Sequence, residues 1–477
     1  MSGVSENIFS YISSLYGDAA AKEFSEFIKK DYSLYIRVNR LKSDKANLIK
    51  KLNEIYSIGT EEISSVPFAL KINGNSETAG KTIQHIIGDY YIQSLSSMIP
   101  PLVLAPNPGE KILDLCAAPG SKTTELGEMM NNNGTLIANE IALDRVKMLI
   151  YNLDRMNLIN AGVTHYKGEW LSKIYSEHFD KVLVDAPCSG LGIVQKKGEV
   201  NNWWSKERAE RLGDVQLRLL IAAIKMVKTG GEIVYSTCTL TPEENEFIID
   251  KVLKKYPVEI LDIDLPVKSH EGFTKYNGQS LDQSISKSRR ILPWEIDSDG
   301  FFIVKLRKTG GTISPEVEIP KVRDIKILNS GSREIRNQLK KVFAEFGINE
   351  EIAAQFNFIL KNNDIFFFNK NWEDIYPGLF ERIGTKFGTI DKNGGIILHT
   401  QAVQVLQKEI REKIFNIDNH SDLRKYLDGG IIKSGTRLTG QCVVKHEDTL
   451  LGTAVITSSG IKSRFPRAKR TQNISLS

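Results

Sequence analysis

Cysteine is scarce in this sequence, and the few cysteines present are poorly spaced for metal or disulfide chemistry. Four cysteines are spread over 477 residues, and no two of them form a Cys-x-x-Cys pair. Zinc sites and disulfide frameworks are usually recognised by such close spacing. We therefore expect no metal centre and no disulfides, and we expect a reducing, cytoplasmic compartment in which a thiol stays available for chemistry.

Long apolar runs and an excess of one charge are also missing. The stretch from Leu219 to Val227 contains Lys225 and is too short to cross a bilayer. Residues Met1 to Asn7 hold no basic segment ahead of an apolar run, so we expect neither a signal peptide nor a membrane partner. The 63 basic and 58 acidic residues give a net charge of +5, which is compatible with a nucleic-acid partner without indicating one.

The length and composition are those of a globular chain with more than one domain. Hydrophobic residues make up 41% and charged residues 25% of the sequence, which argues against disorder. A chain of this length is expected to form about two to four domains. We expect the protein to be a monomer.

Three stretches begin as short apolar runs and end in turn-forming residues. They are KILDLCAAPGSKT at 111–123, KVLVDAPCSG at 181–190 and GEIVYSTCT at 231–239. This pattern is typical of buried parallel strands whose carboxyl ends face a ligand. An Ala-Pro-Gly turn that leads into a helix can also bring backbone N–H groups to a cofactor. We therefore predict a cofactor loop and two cysteines, Cys188 and Cys238, on one edge of a sheet.

Strands and helices are predicted to alternate between residues 108 and 256. This alternation indicates a parallel sheet with helices on both faces. No Gly-x-Gly-x-x-Gly follows the first strand, which argues against an ordinary nicotinamide or flavin site. Thr241-Pro-Glu-Glu244 has the pattern of a capping box and predicts a helix directly after the Cys238 strand. We expect strands near 111–116, 134–139, 162–167, 181–186, 231–237 and 299–307, and helices near 121–130, 142–156, 205–228 and 243–255.

These motifs, together with Pro242-Glu-Glu-Asn245, resemble those of the RNA (cytosine-5)-methyltransferases of the Nol/Nop/Sun family. The resemblance is specific because three motifs occur in the same order. It implies an α/β chain with a Rossmann-like methyltransferase domain that uses S-adenosylmethionine and acts on tRNA or rRNA. The domains expected are an N-terminal α/β RNA-side domain at 1–85, the catalytic domain at 86–308, and an RNA-binding region at 309–477 that ends in a PUA-like β-barrel.

Two basic segments are candidates for RNA contact. Residues Arg37 to Lys42 resemble the family's N-terminal RNA-side module, although plain packing with solvated lysines is an equal alternative. Near the C-terminus, a basic cluster could neutralise phosphates, and a solvated basic tail is the alternative. The cluster consists of Lys462, Arg464, Arg467, Lys469 and Arg470.

Methylation of cytosine at carbon 5 sets clear chemical requirements. A thiolate must add to carbon 6, a group must act near N3, and a methyl donor must stand in line with carbon 5. The resemblance assigns Cys238 as nucleophile, Cys188 as the cysteine that helps release the product, and Asp185 as the carboxylate facing base and cofactor. Lys122 is expected to lower the pKa of the thiol through its positive charge. Cys116 and Cys442 are interpreted as small buried hydrophobes.

The cofactor site is expected at the ends of the first three strands. Glu140 would bind the ribose hydroxyls with support from Arg145, and Asp185 would also face the cofactor. At the third strand the family's usual acid followed by glycine is replaced by Lys167-Gly168, and lysine cannot accept a bond from the adenine amino group. Glu169 or a backbone carbonyl would have to serve instead. The loop predicted to wrap the cofactor consists of Cys116, Ala117, Ala118, Pro119, Gly120, Ser121 and Lys122.

The alternative functions are a DNA cytosine-5-methyltransferase and an RNA-binding assembly factor that has lost catalysis. A DNA cytosine-5-methyltransferase would use the cysteine of the Pro-Cys pair as nucleophile and would carry a Glu-Asn-Val element, which is not the pattern found here. An RNA-binding assembly factor that has lost catalysis would have no reason to retain Cys188, Cys238, Asp185 and Lys122 together.

Overall fold

The N-terminal part combines a helix pair with a small antiparallel sheet. The computed structural model describes residues 4–313, 324–470 and 473–476. Helices Glu6–Tyr16 and Asp18–Lys29 are separated at Gly17, whose φ of 87° favours glycine. The sheet has the order Gly59–Glu62, Ala69–Asn73, Tyr35–Val38, Tyr90–Ile92, and helix Lys45–Tyr56 packs on it.

The first two helices pack against the catalytic part of the chain. Ile8 and Ile12 of the first helix and Phe24 of the second share an apolar cluster with Leu191 and Leu240. Leu191 follows the Cys188 motif and Leu240 follows the Cys238 motif. The N-terminal helices therefore support the two cysteine-bearing loops from outside the central sheet.

A large mixed sheet forms the centre of the molecule, and within the described ranges it has ten strands. Five parallel strands follow the order expected of an open doubly wound sheet, which confirms the predicted Rossmann-like α/β fold. Along the sheet they are Ala161–Thr164, Thr135–Asn139, Lys111–Asp114, Phe179–Asp185 and Val227–Thr237. Beyond Val227–Thr237 the sheet continues with the antiparallel strand Phe301–Lys308. Arg289–Ile291 pairs with Phe301–Lys308, and His270–Glu271 pairs in turn with Arg289–Ile291. Val258–Leu261 also pairs with Phe301–Lys308.

Four helices of this domain lie close to their predicted bounds, namely Ser121–Met129, Leu143–Arg155, Lys206–Met226 and Glu246–Leu253. A fifth helix, Gly168–Ile174, was not predicted. The order of the sheet reverses between Lys111–Asp114 and Phe179–Asp185, and the carboxyl ends of strands at such a reversal form a ligand crevice. The cofactor loop and the Cys188 motif both follow these two strands.

The predicted capping box at Thr241 is wrong in its detail. Pro242–Glu244 forms a short 3₁₀ turn, and the α-helix begins only at Glu246. The Thr241 hydroxyl caps no backbone N–H and instead donates to the Glu244 carboxylate at 2.7 Å. The reason is that Glu244 is turned into the protein, where other donors compete for it.

The C-terminal part contains two further sheets. The first has the order Ile327–Asn329, Phe356–Lys361, Asp364–Asn369, Thr385–Ile390, Ile396–Leu398 and carries helices Arg336–Glu345 and Thr400–Val405. The second has the order Ile414–Ile417, Gln441–His446, Thr449–Thr457, Gly460–Ser463, Ile431–Ile432, with helices His420–Leu427 and Arg467–Arg470. This second sheet is the barrel-like region that was expected, while its likeness to a PUA domain stays a prediction.

The C-terminal part is joined directly to the central sheet. Strand Arg382–Ile383 pairs antiparallel with the edge strand Ala161–Thr164. Arg382 also donates to the Asp154 carboxylate at 2.8 Å. The domain boundaries at residues 85 and 308 stay predictions, but strand pairing crosses the second of them.

Several of the basic residues proposed to contact RNA are buried. Arg37 is fully buried, and Lys42 donates to the Ile87 carbonyl at 2.7 Å and to Gln404 at 2.8 Å. The packing alternative is therefore correct for these two residues. Lys469 is only 3% exposed, so the expectation that it neutralises phosphates is also wrong, because helix Arg467–Arg470 turns it inward. Arg464 and Arg467 are exposed.

None of the helices in the described ranges is both long and apolar enough to span a bilayer.

Candidate active site

The two motif cysteines meet at the carboxyl ends of adjacent strands. Phe179–Asp185 and Val227–Thr237 are parallel neighbours, with Asp185 opposite Ser236. The two cysteines therefore lie on one edge of the sheet, as the sequence predicted. Cys188 and Cys238 are free thiols, both partly exposed, and their Sγ atoms lie 3.0 Å apart in a hydrogen bond. This bond, together with burial, raises the pKa of the Cys188 thiol well above its ordinary value. The raised pKa favours the protonated form of Cys188, in which it can donate this bond to Cys238.

Lys122 and Asp185 form an ion pair beside these thiols. Lys122 Nζ lies 2.7 Å from Asp185 Oδ2 and 3.0 Å from Ser97 Oγ, and Ser236 donates to Asp185 Oδ1 at 2.9 Å. Burial lowers the pKa of Lys122, but attraction to Asp185 outweighs burial and the net pKa is raised. Cys238 adds to that attraction, so the ammonium and the thiol lie within electrostatic range. Asp185 is thus held as a hydrogen-bonded carboxylate.

Sequence reasoning missed the supporting residues Ser97 and Phe301. Ser97 shares the Lys122 ammonium with Asp185, and the Phe301 ring lies under that ammonium at 5.1 Å from its centroid. Phe301 begins the antiparallel strand beside Val227–Thr237. Neither residue carries a motif, so only the packing of the sheet identifies them.

The predicted cofactor loop is fixed by bonds to its backbone. Gly120 has a φ of 106°, and a Cβ there would lie 3.1 Å from Leu149 Cδ1, so glycine suits both its conformation and its packing. Arg145 donates to the Ala118 carbonyl, and Asn152 donates to the Pro119 carbonyl at 2.8 Å. The peptide between Ala118 and Pro119 is cis. The hydrogen bonds from Arg145 and Asn152 thus tie the loop to helix Leu143–Arg155.

Glu140 stands at the end of the neighbouring strand and is held in place. One carboxylate oxygen lies 3.1 Å from Arg145, and the other accepts from the Ala142 N–H at 2.9 Å. The side chain is almost fully buried. The structure therefore brings Glu140 and Arg145 together, as the sequence predicted, and Arg145 also reaches the loop.

Asp114 is a further residue of this region that sequence reasoning did not assign. Its Oδ2 accepts from Thr123 at 2.7 Å, while its buried Oδ1 has no partner among the residues described. Burial raises the pKa of the Asp114 carboxyl to about 7. An acid at the end of the first strand, two residues before Cys116, was the available signal. The unsatisfied oxygen is a feature that a polar cofactor group would satisfy.

After the third strand, the two candidates for the usual adenine-binding acid, Glu169 and the Lys167 carbonyl, already have hydrogen-bonding partners within the protein. Glu169 lies 3.1 Å from Arg218 of helix Lys206–Met226 and so already has a partner. The Lys167 carbonyl accepts from the Trp170 N–H at 2.9 Å. The substitution by Glu169 stays a prediction. In the ranges 4–313, 324–470 and 473–476, no three His, Cys, Asp or Glu side chains are grouped to hold a metal ion.

Comparisons with known proteins agree on one family. The family profile described as "16S rRNA methyltransferase RsmB/F" matches residues 101–307. A tRNA (cytosine(49)-C(5))-methyltransferase from Pyrococcus abyssi is 37% identical over 60% of this chain and 92% of its own length. The ribosomal RNA small subunit methyltransferase F of Aeromonas hydrophila is 30% identical over 93% of this chain and 92% of its own length.

Solved structures support the same fold. A methyltransferase homolog protein from Pyrococcus horikoshii is 32% identical, with a TM-score of 0.56 over 63% of this chain and 93% of that one. A structure of NSun6 from Pyrococcus horikoshii with SFG is 22% identical, with a TM-score of 0.56 over 64% of this chain and 98% of that one. The second likeness concerns the fold alone.

Proposed function

This chain belongs to the RsmB/F family of RNA (cytosine-C5)-methyltransferases, and we propose that it methylates a cytosine of ribosomal RNA through a covalent bond to Cys238. The observation that carries the covalent mechanism is the contact between the two thiols. Cys188 Sγ and Cys238 Sγ are 3.0 Å apart, and the Lys122–Asp185 ion pair stands beside them. Two thiols in contact suit a reaction with separate attack and release steps, because one sulfur can attack while the other donates a hydrogen bond to it.

The choice of ribosomal RNA over tRNA rests on the extent of the alignments. The small-subunit rRNA methyltransferase of Aeromonas hydrophila aligns with 93% of this chain, whereas the Pyrococcus abyssi tRNA enzyme aligns with 60%. Most of the C-terminal part is therefore shared with the rRNA enzyme. Because one flipped base carries little sequence information, such additional parts are suited to select the RNA.

Cys238 is the nucleophile in this proposal. Its thiolate adds to carbon 6 of the cytosine, which makes carbon 5 electron-rich. Asp185, held by Lys122 and Ser236, can accept a hydrogen bond from a protonated N3 as the adduct forms. After carbon 5 has taken the methyl group, its proton is lost to solvent water, the bond between sulfur and carbon 6 breaks, and Cys238 leaves as the thiolate in which it attacked. The Cys188 thiol, which stays protonated, donates a hydrogen bond that stabilises this leaving sulfur.

The residues around the cofactor loop fit S-adenosylmethionine as the methyl donor. Glu140 at the end of the second parallel strand suits the ribose hydroxyls, and the buried, unpartnered oxygen of Asp114 leaves an acceptor for a polar group of the ligand. The loop 116–122 would hold the methionine end, where Gly120 permits close backbone approach. When bound, S-adenosylmethionine supplies the methyl group that carbon 5 takes.

The test is the covalent adduct formed by cysteine variants with small-subunit rRNA and S-adenosylmethionine. Cys188→Ala should attack and methylate but stall, so a protein–RNA band that survives denaturing electrophoresis should accumulate. Cys238→Ala should give no band and no methylation. Cys442→Ala, a change at a buried cysteine of the C-terminal sheet, is the matched control and should behave as wild type.

Each alternative gives a different result in the same experiment. A band from Cys238→Ala but not from Cys188→Ala would make Cys188 the nucleophile, as in a DNA-type enzyme. A wild-type protein that binds the RNA without methylating it would favour the assembly-factor alternative. Methylation of tRNA but not of rRNA would overturn the proposed substrate while leaving the mechanism intact.

A further inference from the structure

Glu244 lies completely buried behind the two cysteines, and four donors converge on its carboxylate. Its Oε1 accepts from the Ser189 N–H at 2.8 Å and from Gln216 Nε2 at 2.8 Å. Its Oε2 accepts from the Ser189 hydroxyl and from the Thr241 hydroxyl, the latter at 2.7 Å. A buried carboxylate with this many donors is held in one position, and it holds its donors in turn.

These bonds connect the two loops that carry the thiols. Ser189 follows Cys188 directly, and Thr241 stands three residues after Cys238. The Ser189 hydroxyl also lies 2.9 Å from the Thr239 hydroxyl, next to Cys238. Glu244 is thus bonded to both loops at once.

Hydrogen bonds hold the backbone both before and after Cys188. Gln216 donates to the Pro187 carbonyl at 2.9 Å, ahead of Cys188, while Glu244 accepts from the Ser189 N–H behind it. Gln216 also donates to Glu244, so Gln216 and Glu244 together form a closed clamp around the backbone of Cys188. The position of Cys188 Sγ therefore depends on a residue that has no contact with the reacting atoms.

We propose that Glu244 is a positioning residue that holds Cys188 Sγ against Cys238 Sγ, so that Cys188 can complete the release step. The proposal rests on the proposed function, since release by Cys188 is part of it. The negative charge of Glu244 also helps to raise the pKa of Cys188, which agrees with a thiol that keeps its proton. These bonds hold the residues on either side of Cys188, whereas the Glu244 carboxylate bonds to the Cys238 loop at Thr241, three residues beyond that cysteine. Loss of the Glu244 carboxylate should therefore slow release more than attack.

The experiment compares Glu244→Ala with Glu244→Gln in the adduct assay. Alanine removes the acceptor for Ser189, so the trapped protein–RNA adduct should rise by about ten- to a hundredfold over wild type, the scale of one hydrogen bond to a charged group. Glutamine keeps an acceptor for the Ser189 N–H, and the serine and threonine hydroxyls can turn to accept from its amide. Glu244→Gln should therefore remain close to wild type.

Two further variants make the test specific. Glu243→Gln alters the neighbouring acid, which bonds to the Tyr11 hydroxyl and lies 3.6 Å from Lys206, and it should not trap the adduct. Gln216→Met leaves Glu244 in place but opens the clamp at Pro187, and it should also accumulate adduct. Gln216→Met keeps the proposal falsifiable if Glu244→Ala fails to fold, which circular dichroism would reveal.

The outcomes separate this inference from the proposed function. If Cys188→Ala traps the adduct but folded Glu244→Ala and Gln216→Met turn over as wild type, the positioning role is wrong and the mechanism stands. If Glu244→Gln traps as much adduct as Glu244→Ala, the charge of Glu244 matters rather than its position, and the proposal is overturned. If Cys188→Ala traps no adduct, the covalent mechanism itself fails.

Discussion

Arg37 and Glu128 form an ion pair from which solvent is completely excluded. The guanidinium NH2 lies 2.7 Å from Glu128 Oε1, and both side chains are fully buried. Arg37 belongs to the N-terminal sheet, whereas Glu128 lies on helix Ser121–Met129, which follows the cofactor loop. Arg37 also donates to the Ser121 carbonyl at 2.6 Å. The N-terminal part is therefore bonded to the first turn of the helix that carries Lys122.

Replacing Arg37 by alanine is expected to destabilise the whole protein. The change leaves Glu128 and Glu125 buried without their cation, and breaking a buried pair in this way costs about 3–5 kcal/mol of the free energy of unfolding. Urea denaturation followed by circular dichroism measures the loss. Arg40→Ala is the control, because Arg40 is 35% exposed and lies 3.8 Å from Glu128, and it should cost about 1 kcal/mol or less. Equal losses of unfolding free energy in both variants would contradict the expectation that the buried Arg37–Glu128 pair stabilises the protein more than the exposed Arg40 does.

Replacing Glu140 by alanine is expected to weaken the binding of S-adenosylmethionine. The lost hydrogen bond to a charged group corresponds to about 1.5–3 kcal/mol of binding free energy. Calorimetric titration measures the affinity without requiring RNA. Asp144→Ala is the matched control, because Asp144 lies on the following helix with its side chain 98% exposed. An unchanged affinity in Glu140→Ala would remove Glu140 from the cofactor site.

Replacing Arg464 and Arg467 together by alanine is expected to weaken RNA binding. Each lost phosphate contact should reduce the slope of log affinity against log salt by about 0.7 to 0.9. Point variants are preferable to deletion of residues 309–477, because strand Arg382–Ile383 completes the central sheet. Lys255→Ala changes an exposed charge of the catalytic domain and serves as the control. A slope that falls equally in the control would show that the basic cluster has no special role.

Replacing Lys469 by methionine is expected to stabilise the protein in a pH-dependent way. Burial, together with repulsion from Lys42 and Arg155, lowers the pKa of Lys469 from 10.5 to about 7. Between these two values the unfolded chain binds more protons than the folded one, so the cost of burying Lys469 grows as the pH falls from 10.5 to 7 and is constant below that. The free energy of unfolding of the variant should exceed that of wild type by about 3 kcal/mol at pH ~8, and the two should be equal at pH above ~10.5.

The control for this prediction is Arg467→Met, which alters an exposed residue on the same helix. Stability curves of both variants and of wild type between pH 7 and 10 give the comparison. A gain for Lys469→Met that does not shrink as the pH rises would attribute the effect to apolar packing rather than to the buried charge.

The sequence by itself determined the central sheet and the residues at its carboxyl edge. Each of these strands is marked by a short apolar run, and each motif follows its strand directly. The order of residues along the chain is therefore enough to bring Asp185, Cys188 and Cys238 to one edge of the sheet. That the strands Phe179–Asp185 and Val227–Thr237 are parallel neighbours then follows from the fold class.

Only the tertiary structure decided which charged side chains are buried. Arg37, Lys42 and Lys469 look like surface cations in the sequence, and each lies at a contact between elements far apart in the chain. Thr241 and Glu244 carry a capping-box pattern, but the acid turns inward because Ser189 and Gln216 offer it more donors than a helix end does. Local patterns set the propensity of a segment, whereas burial depends on the surface that distant segments bring against it.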